Sequence, residues 1–272
     1  MTPRYGSNPV LHLDGDPAAV GELVIRQHHR FATALAKLSD EQWEHPSRCE
    51  GWSSKDVVEH LAAANAYWEL SIRSGVAGQP TEIMAAFDPV VTPRQMVAGS
   101  ALRSDEVVEA MVTSSESLAA CLRELTPPDW TMLAESPPGH VTVSAVAHHA
   151  FWDSWIHERD VLMPLGMTLV EEPDEVIAGL RYIVGFTPAL VLNSGGTDTG
   201  AFDVASTNPA ADLHVEIGQD VHVSAGATGA DFVLEGSAVE LLEALSFRRP
   251  LDQDVPDEIL WAFAGLSAVY DQ

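Results

Sequence analysis

The chain has 272 residues, of which 46% are hydrophobic and 20% are charged, so it can build a globular core and is not disordered by composition. Its 14 basic and 40 acidic side chains give a formal net charge of −26 at pH 7. Nucleic acids and anionic membrane surfaces are bound through clustered Lys and Arg, so this charge argues against both partners. The length predicts about two domains of roughly 150 residues each.

No targeting or membrane segment is evident. Residues 1–20 include acidic residues and a proline and hold no continuous apolar region of the secretory-signal type, so we expect a cytoplasmic protein. The most apolar long window, residues 176–192, is interrupted by an arginine and a proline and is short for a bilayer span, which favours a buried helix. Two cysteines, Cys49 and Cys121, are more typical of reduced thiols than of a disulfide framework.

Four long segments in the first part of the chain have apolar residues at three- and four-residue steps, which predicts amphipathic helices. Asp16 followed by Pro17 is a typical helix start, and Ser53 stands three residues before Asp56 in a capping pattern. The predicted helices cover residues 16–38, 54–73, 104–125 and a segment from 142 or 144 to 163. A proline- and glycine-rich connection over residues 75–93 separates the second helix from the third. This order predicts a four-helix bundle.

The remainder of the chain has a different pattern. A helix is predicted over residues 176–192, and helices return at 238–245 and 258–269. Short β-prone stretches with polar alternation lie between them, at residues 202–205, 213–217, 221–224 and 231–234. We therefore predict an α+β protein of two domains: a helical bundle over residues 1–168 and a small α+β domain over residues 169–272.

One group of histidines and carboxylates has metal-ligand spacing. His149, Asp153 and His157 stand at four-residue steps and share one face of the fourth helix. His60 lies on the apolar face of the second helix. A carboxylate and an imidazole one turn apart, with an imidazole from a facing helix, form a metal-ligand set that leaves coordination positions open, as in catalytic zinc sites. Histidines on apolar helix faces are also common as hydrogen-bonded core residues, and spacing alone leaves both interpretations open.

Four segments resemble a known family. Residues 49–61, CEGWSSKDVVEHL, resemble the C-x-G-W-[ST]-x-x-[DE]-[LV]-[LV]-x-H-[LV] signature of mycothiol-dependent maleylpyruvate isomerase family proteins, which belong to the DinB-like bundle superfamily. Residues 153–161, DSWIHERDV, resemble the family's E-x-x-x-H-x-x-D-[VLI] segment. Residues 234–242 and 247–250 are similar to the G-x-x-x-x-L-L and G-R-x-P pattern of the family's second domain. The resemblance implies a DinB-like four-helix bundle followed by a small α+β domain.

The resemblance also implies a ligand set. His60 and His157 match the family's metal histidines, and Asp153 occupies the position that usually holds glutamate. Aspartate is one methylene shorter, although it can bind zinc. His149 is an alternative ligand or a residue that supports one. The implied cofactors are a divalent metal, zinc above all, and mycothiol.

Arg248 matches the arginine of the second domain that faces the active site in the isomerases, where it would hold the substrate carboxylate. The preceding residue is Phe247, where the family usually has glycine, so Arg249 is the fallback assignment. Cys49 is either a reactive thiol or, in keeping with the usual behaviour of cysteine, a small buried side chain.

The resemblance implies that a metal-bound thiolate adds to a conjugated cis double bond, that the adduct rotates, and that elimination gives the trans isomer. If elimination does not occur, the same machinery makes a mycothiol S-transferase. The partners are then a small-molecule thiol and an electrophile, in a monomer or homodimer. The alternative from another class is a catalytically inactive metal- or ligand-binding regulatory module.

Overall fold

The structure is a computed structural model that describes residues 2–88, 91–98, 100–193 and 195–266. It is an α+β protein of two parts, a helical bundle and a sheet domain, which confirms the predicted fold class. In chain order the elements are β1 (Leu11–Leu13), α1 (Ala19–Leu35), α2 (Asp40–Trp43), α3 (Ser54–Val76), α4 (Val91–Ala98), α5 (Ser104–Glu124), β2 (Leu133–Ser136), β3 (Gly139–Thr142), α6 (Val143–Leu162), α7 (Pro173–Asn193), β4 (Gly200–Thr207), β5 (Ala211–Ile217), β6 (Val221–Ala225), β7 (Val233–Ser237), α8 (Ala238–Leu245) and α9 (Asp257–Leu260).

The four predicted bundle helices are α1, α3, α5 and α6, and each lies within a few residues of its predicted limits. Ser53 caps α3 in the predicted way, because its side chain accepts from the Asp56 N–H while the Asp56 carboxylate accepts from the Ser53 N–H. Thr142 caps α6 by accepting from the Ala145 N–H. These caps fix where the two helices of the predicted ligand set begin.

Helix α6 is the centre of the molecule. Every one of its residues is buried, including the charged ones, and it packs against α1, α3 and α7. Helix α7 is also largely buried. It is long and apolar enough to cross a membrane, but 83% of its most apolar window is enclosed by the rest of the protein. This agrees with the buried helix predicted for residues 176–192.

The second part is built on a five-stranded sheet in the order β1-β6-β5-β4-β7. The strands β4, β5 and β6 form an antiparallel meander, and β7 and β1 add to its two sides in parallel orientation. Strand β1 was not predicted, and it comes from the N-terminal segment assigned to the bundle domain. The predicted domain boundary between residues 168 and 169 stays a prediction. Strand β1 crosses this division, because it lies near the start of the chain but pairs with the sheet of the second half.

Two predicted segments differ in detail from the structure. The predicted connection over residues 75–93 holds a 3-10 turn at Ile83–Ala86 and the unpredicted α4 begins at its end. The helix predicted over 258–269 is wrong in extent, since α9 ends at Leu260 and continues only as a 3-10 turn, Trp261–Phe263; residues 267–269 lie outside the described part. The strands β2 and β3 form an unpredicted antiparallel hairpin before α6.

Candidate functional site

Helices α3 and α6 bring the three predicted metal ligands together. One nitrogen of His60, one of His157 and a carboxylate oxygen of Asp153 all lie within 4.8 Å of one another. The His157 Nε2 atom is 3.5 Å from Asp153 Oδ1, and the His60 and His157 rings meet edge to face at 5.4 Å between centroids. Within the described part of the chain, no side chain or backbone group hydrogen-bonds to the His60 ring.

Asp160 orients the His157 ring by binding the nitrogen that points away from Asp153. Its Oδ2 atom lies 2.9 Å from His157 Nδ1, so the Nδ1–H donates to this carboxylate and Nε2 is the nitrogen left for a ligand role. Asp160 is fully buried, one turn after His157 on α6. The family-like segment 153–161 contains this aspartate, but no role was predicted for it from the sequence.

The two histidines of the set have opposite electrostatic environments. Burial lowers the pKa of His60 to about 4, so its ring is neutral and offers a lone pair at neutral pH. Burial also acts to lower the pKa of His157, but Cys49, Asp160 and Asp153 outweigh it and raise the pKa to about 10. A metal ion at this position would therefore take the place of a proton on His157.

Two imidazoles and a carboxylate suit zinc, and three protein ligands leave a coordination position for an exogenous group. The shorter Asp153 still reaches the histidines, because it stands one turn before His157 on the same helix face. The residues present therefore fit a divalent metal with an open face.

His149 lies elsewhere in the same cavity wall. Its Nδ1 atom is 2.6 Å from the Tyr182 hydroxyl oxygen, and its ring contacts Trp68 and Trp152. Burial lowers its pKa to about 4. Its donor atoms are not among those that converge with His60, so the structure gives it an aromatic and hydrogen-bonded environment near the ligand set.

Arg248 reaches the ligand set through Asp160. Its Nε and Nη2 atoms donate to the two carboxylate oxygens at 2.8 and 2.9 Å, and Nη1 donates to the Ser246 carbonyl at 3.1 Å. The preceding Phe247 has φ +57°, the left-handed conformation that glycine adopts at no steric cost, which explains why glycine is usual there. Arg249 instead binds Glu240 and Asp252 on the exterior and does not line the cavity.

Cys49 belongs to this polar group. Its Sγ atom is 3.3 Å from Asp160 Oδ2, 3.7 Å from His157 Nδ1 and 3.6 Å from Arg248 Nη2. The usual behaviour of cysteine favours a small buried side chain, whereas the structure gives this thiol polar neighbours and partial exposure.

The ligand set faces a cavity of about 580 Å³ between α3, α6 and the strap over residues 80–88. Apolar and aromatic side chains form most of its wall, including Trp52, Tyr67, Met84 and Phe87. The described cationic residues at the wall are Arg48, Arg94 and Arg248. Arg48 and Arg248 are paired with buried carboxylates, whereas Arg94 has no such partner within the described residues. The cavity is thus mostly apolar, and its polar end is formed by the three predicted metal ligands and the residues around them.

This combination defines a class: a helical-bundle protein with a candidate metal centre facing a cavity beside an α+β domain. Residues 24–162 match the family model described as the mycothiol maleylpyruvate isomerase N-terminal domain, and the chain belongs to this family. The match includes all three predicted ligands and Asp160.

Solved structures agree at the level of the fold. A crystal structure of a histidine-to-alanine mutant of the mycothiol-dependent maleylpyruvate isomerase is similar with a TM-score of 0.61 and 16% identity, over 88% of this chain and 94% of that one. A second crystal structure of the mycothiol-dependent maleylpyruvate isomerase is similar with a TM-score of 0.59 and 18% identity, over the same shares of the two chains. No curated protein sequence matches this chain.

Proposed function

We propose that this protein is a mycothiol-using enzyme in which His60, Asp153 and His157 hold a divalent metal, zinc in the first instance, that activates the thiol for addition to an electrophile. The observation that carries the proposal is the convergence of these three donors within 4.8 Å at the floor of a cavity, in a member of this family. When bound, the metal would stabilise the thiolate of a thiol whose pKa is otherwise near about 8.5.

The protein's own residues prepare the site for this chemistry. Asp160 holds the His157 ring so that Nε2 faces Asp153 and His60. The apolar wall formed by Trp52, Phe87 and their neighbours limits water around the reacting sulfur, which strengthens electrostatic interactions there.

Arg248 is the proposed substrate-binding group. Asp160 fixes the plane of the guanidinium, and Nη1 carries a second N–H beyond its bond to the Ser246 carbonyl. The two N–H groups of Nη2 donate to Asp160 and to the Cys49 sulfur. Since this Nη1 donor and the guanidinium charge are oriented before the substrate arrives, they suit a carboxylate and the negative charge that develops beside it. Arg94 at the cavity wall is a second cation that can meet an anionic group.

The experiment is a thiol-dependence assay on the zinc-loaded full chain, with maleylpyruvate and chlorodinitrobenzene as probes. Formation of the trans isomer without loss of mycothiol identifies an isomerase, and formation of a thioether identifies an S-transferase. We expect His60→Gln and His157→Gln to lower the rate by about 100-fold or more through loss of metal. His45→Gln is the matched control, because among the described residues that exposed ring bonds to the Pro46 carbonyl alone. Turnover that persists without mycothiol, or in both ligand variants, contradicts the proposal.

The alternative is an inactive ligand-binding module, and one observation favours it: Asp160 already occupies Nε and Nη2 of Arg248. Zinc bound at the three ligands with no thiol-dependent turnover of either probe would support the module. A cytoplasmic location, the absence of nucleic-acid and membrane partners, and a monomeric or homodimeric state stay predictions.

A further inference from the structure

A second cluster of two histidines and an aspartate lies on the five-stranded sheet. His12 of β1 and His222 of β6 are register partners in the parallel pairing, so both side chains lie on one face. Their rings stack with centroids 4.1 Å apart and planes 4° from parallel. Asp220, in the turn before β6, places Oδ2 at 3.1 Å from His12 Nε2 and Oδ1 at 3.3 Å from His222 Nε2. No residue of β1 or β6 lines the cavity.

We propose that His12, Asp220 and His222 form a zinc-binding site separate from the ligand set on α3 and α6. One donor atom from each residue lies within 4.8 Å of the other two. Two imidazole nitrogens and one carboxylate oxygen suit zinc far better than magnesium or calcium, which prefer oxygen ligands only. An ion would be bound through the Nε2 atoms of both rings, which are the nitrogens that face the Asp220 oxygens.

The donors are held in place by the backbone around them. The Val221 N–H donates to the Val10 carbonyl and the Asp14 N–H donates to the Val223 carbonyl, so hydrogen bonds flank the His12 and His222 pair on both sides. The turn that carries Asp220 is closed by a 2.9 Å bond from the Gly218 N–H to the Asp220 carbonyl. A site on paired strands is more rigid than one on a loop, which lowers the cost of organising the donors. The three side chains are 30 to 46% exposed, so solvent can complete the coordination.

The site would join the N-terminal strand to the rest of the sheet. Strand β1 lies at the side of the sheet and β6 is its neighbour, so an ion shared by His12 and His222 bridges the two chain segments. The same N-terminal segment also bonds to the hairpin before α6, since the Val10 N–H donates to the His140 carbonyl at 2.9 Å. Zinc binding is therefore expected to protect the amide of Asp14 against hydrogen exchange.

The test measures zinc content and amide exchange on untagged full-length protein equilibrated with buffered zinc. We expect His12→Gln/His222→Gln to bind one zinc ion fewer per chain than the wild type and to lose the zinc-dependent protection of Asp14. We expect His60→Gln/His157→Gln to keep that protection, so the result is independent of the proposed catalytic metal. The matched control is His29→Gln/His45→Gln, which removes two exposed imidazoles outside the cluster and should bind as the wild type does.

Equal zinc content in the wild type and the His12→Gln/His222→Gln protein would overturn the proposal. Protection of Asp14 that does not depend on zinc in the wild type would do the same. If His60→Gln/His157→Gln fails to fold, the difference between the wild type and His12→Gln/His222→Gln decides the question.

Discussion

Asp160 links the predicted metal ligand His157 to Arg248, the predicted substrate-binding arginine. Its carboxylate accepts from both, and it also lies 3.3 Å from the Cys49 thiol. Burial acts to raise the pKa of Asp160, but the bonds and charges of His157 and Arg248 outweigh it and hold that pKa far below its usual range. The carboxylate is therefore charged at any working pH, and its charge balances the partly buried guanidinium of Arg248.

We predict that Asp160→Asn weakens both the metal site and the fold. The amide removes the charge that orients His157, and loss of such a supporting group typically lowers metal affinity by about 10- to 100-fold. It also leaves the Arg248 guanidinium, whose side chain is 22% exposed, without its counter-ion, which costs about 3 kcal/mol in the free energy of unfolding. Zinc titration and urea unfolding measure the two effects.

Asp252→Asn is the matched control, because the same change there removes an exposed partner of Arg249. An exposed pair of this kind contributes about 0 to 1 kcal/mol, so the control should keep both zinc affinity and stability. If Asp160→Asn binds zinc as the wild type does, Asp160 does not position His157.

The candidate ligands were predictable from the sequence, but their supporting residues were not. Asp153 and His157 are neighbours on a helix by spacing alone, and family-like residues around His60 placed it opposite them. Asp160 binds Arg248 from 88 residues away, and no periodicity carries that information. The metal role of the three ligands stays a prediction that the zinc titration tests.

At the scale of elements, the long helices were predictable because each has an apolar stripe of many residues. The strands β1, β2 and β3 have three or four residues each, too few for alternation to be distinguished from chance. They are specified by tertiary pairing instead, β1 with β6 and β2 with β3. The carboxylate that the hairpin buries, Glu135, was missed for the same reason.

Glu135 anchors the strap that forms one side of the cavity. Its fully buried carboxylate accepts from the hydroxyls of Thr81, Tyr5 and Tyr67 and from the N–H groups of Ile83 and Met84, at 2.6 to 2.9 Å. Burial acts to raise the pKa of Glu135, but the bonds from Thr81, Tyr5 and the strap backbone outweigh it and lower the pKa below its ordinary value of 4.5. The strap is therefore held in place by hydrogen bonds to an ionised, buried carboxylate.

We predict that Glu135→Gln loosens the strap. The amide puts N–H hydrogens where donors already point, and each unsatisfied buried group costs about 1 to 3 kcal/mol. Hydrogen-exchange protection of the Ile83 and Met84 amides should fall in this variant. Because the folded-state pKa is depressed, the stabilisation is present above about pH 4.5 and is lost as the pH falls from there through the folded-state value. Wild-type protection at these amides should fall in the same acid range.

The neighbouring Glu82→Gln is the matched control for this change. Glu82 is exposed on the same strap, so its variant should retain the protection of Ile83 and Met84 at neutral pH. Unchanged protection in Glu135→Gln would show that the strap is held by its apolar contacts and not by the carboxylate.

At the scale of the whole molecule, the buried carboxylate of Glu243 joins α8 to the bundle. Glu243 accepts from Arg48 and from Arg159, each at 2.8 Å, and Arg159 belongs to the central helix α6. Burial acts to raise the pKa of Glu243, but its bonds to Arg159 and Arg48 outweigh it and lower that pKa. Arg48, which binds Glu243, and Arg248, which follows α8, both line the cavity, so the position of α8 also sets the shape of the site.

We predict that Glu243→Gln lowers the free energy of unfolding by about 2 kcal/mol, because Arg48 and Arg159 lose their charge-assisted bonds to this largely buried carboxylate. Arg48 keeps Asp160 and Arg159 keeps Glu171 as a second carboxylate partner. Glu240→Gln changes the same residue type on the same helix, where the side chain is 54% exposed and pairs with Arg249, and it should cost less than about 1 kcal/mol. Urea unfolding followed by tryptophan fluorescence compares the two. Equal losses in both variants would mean that the apolar core shared by α7, α8 and the sheet, and not this ion pair, holds the two halves together.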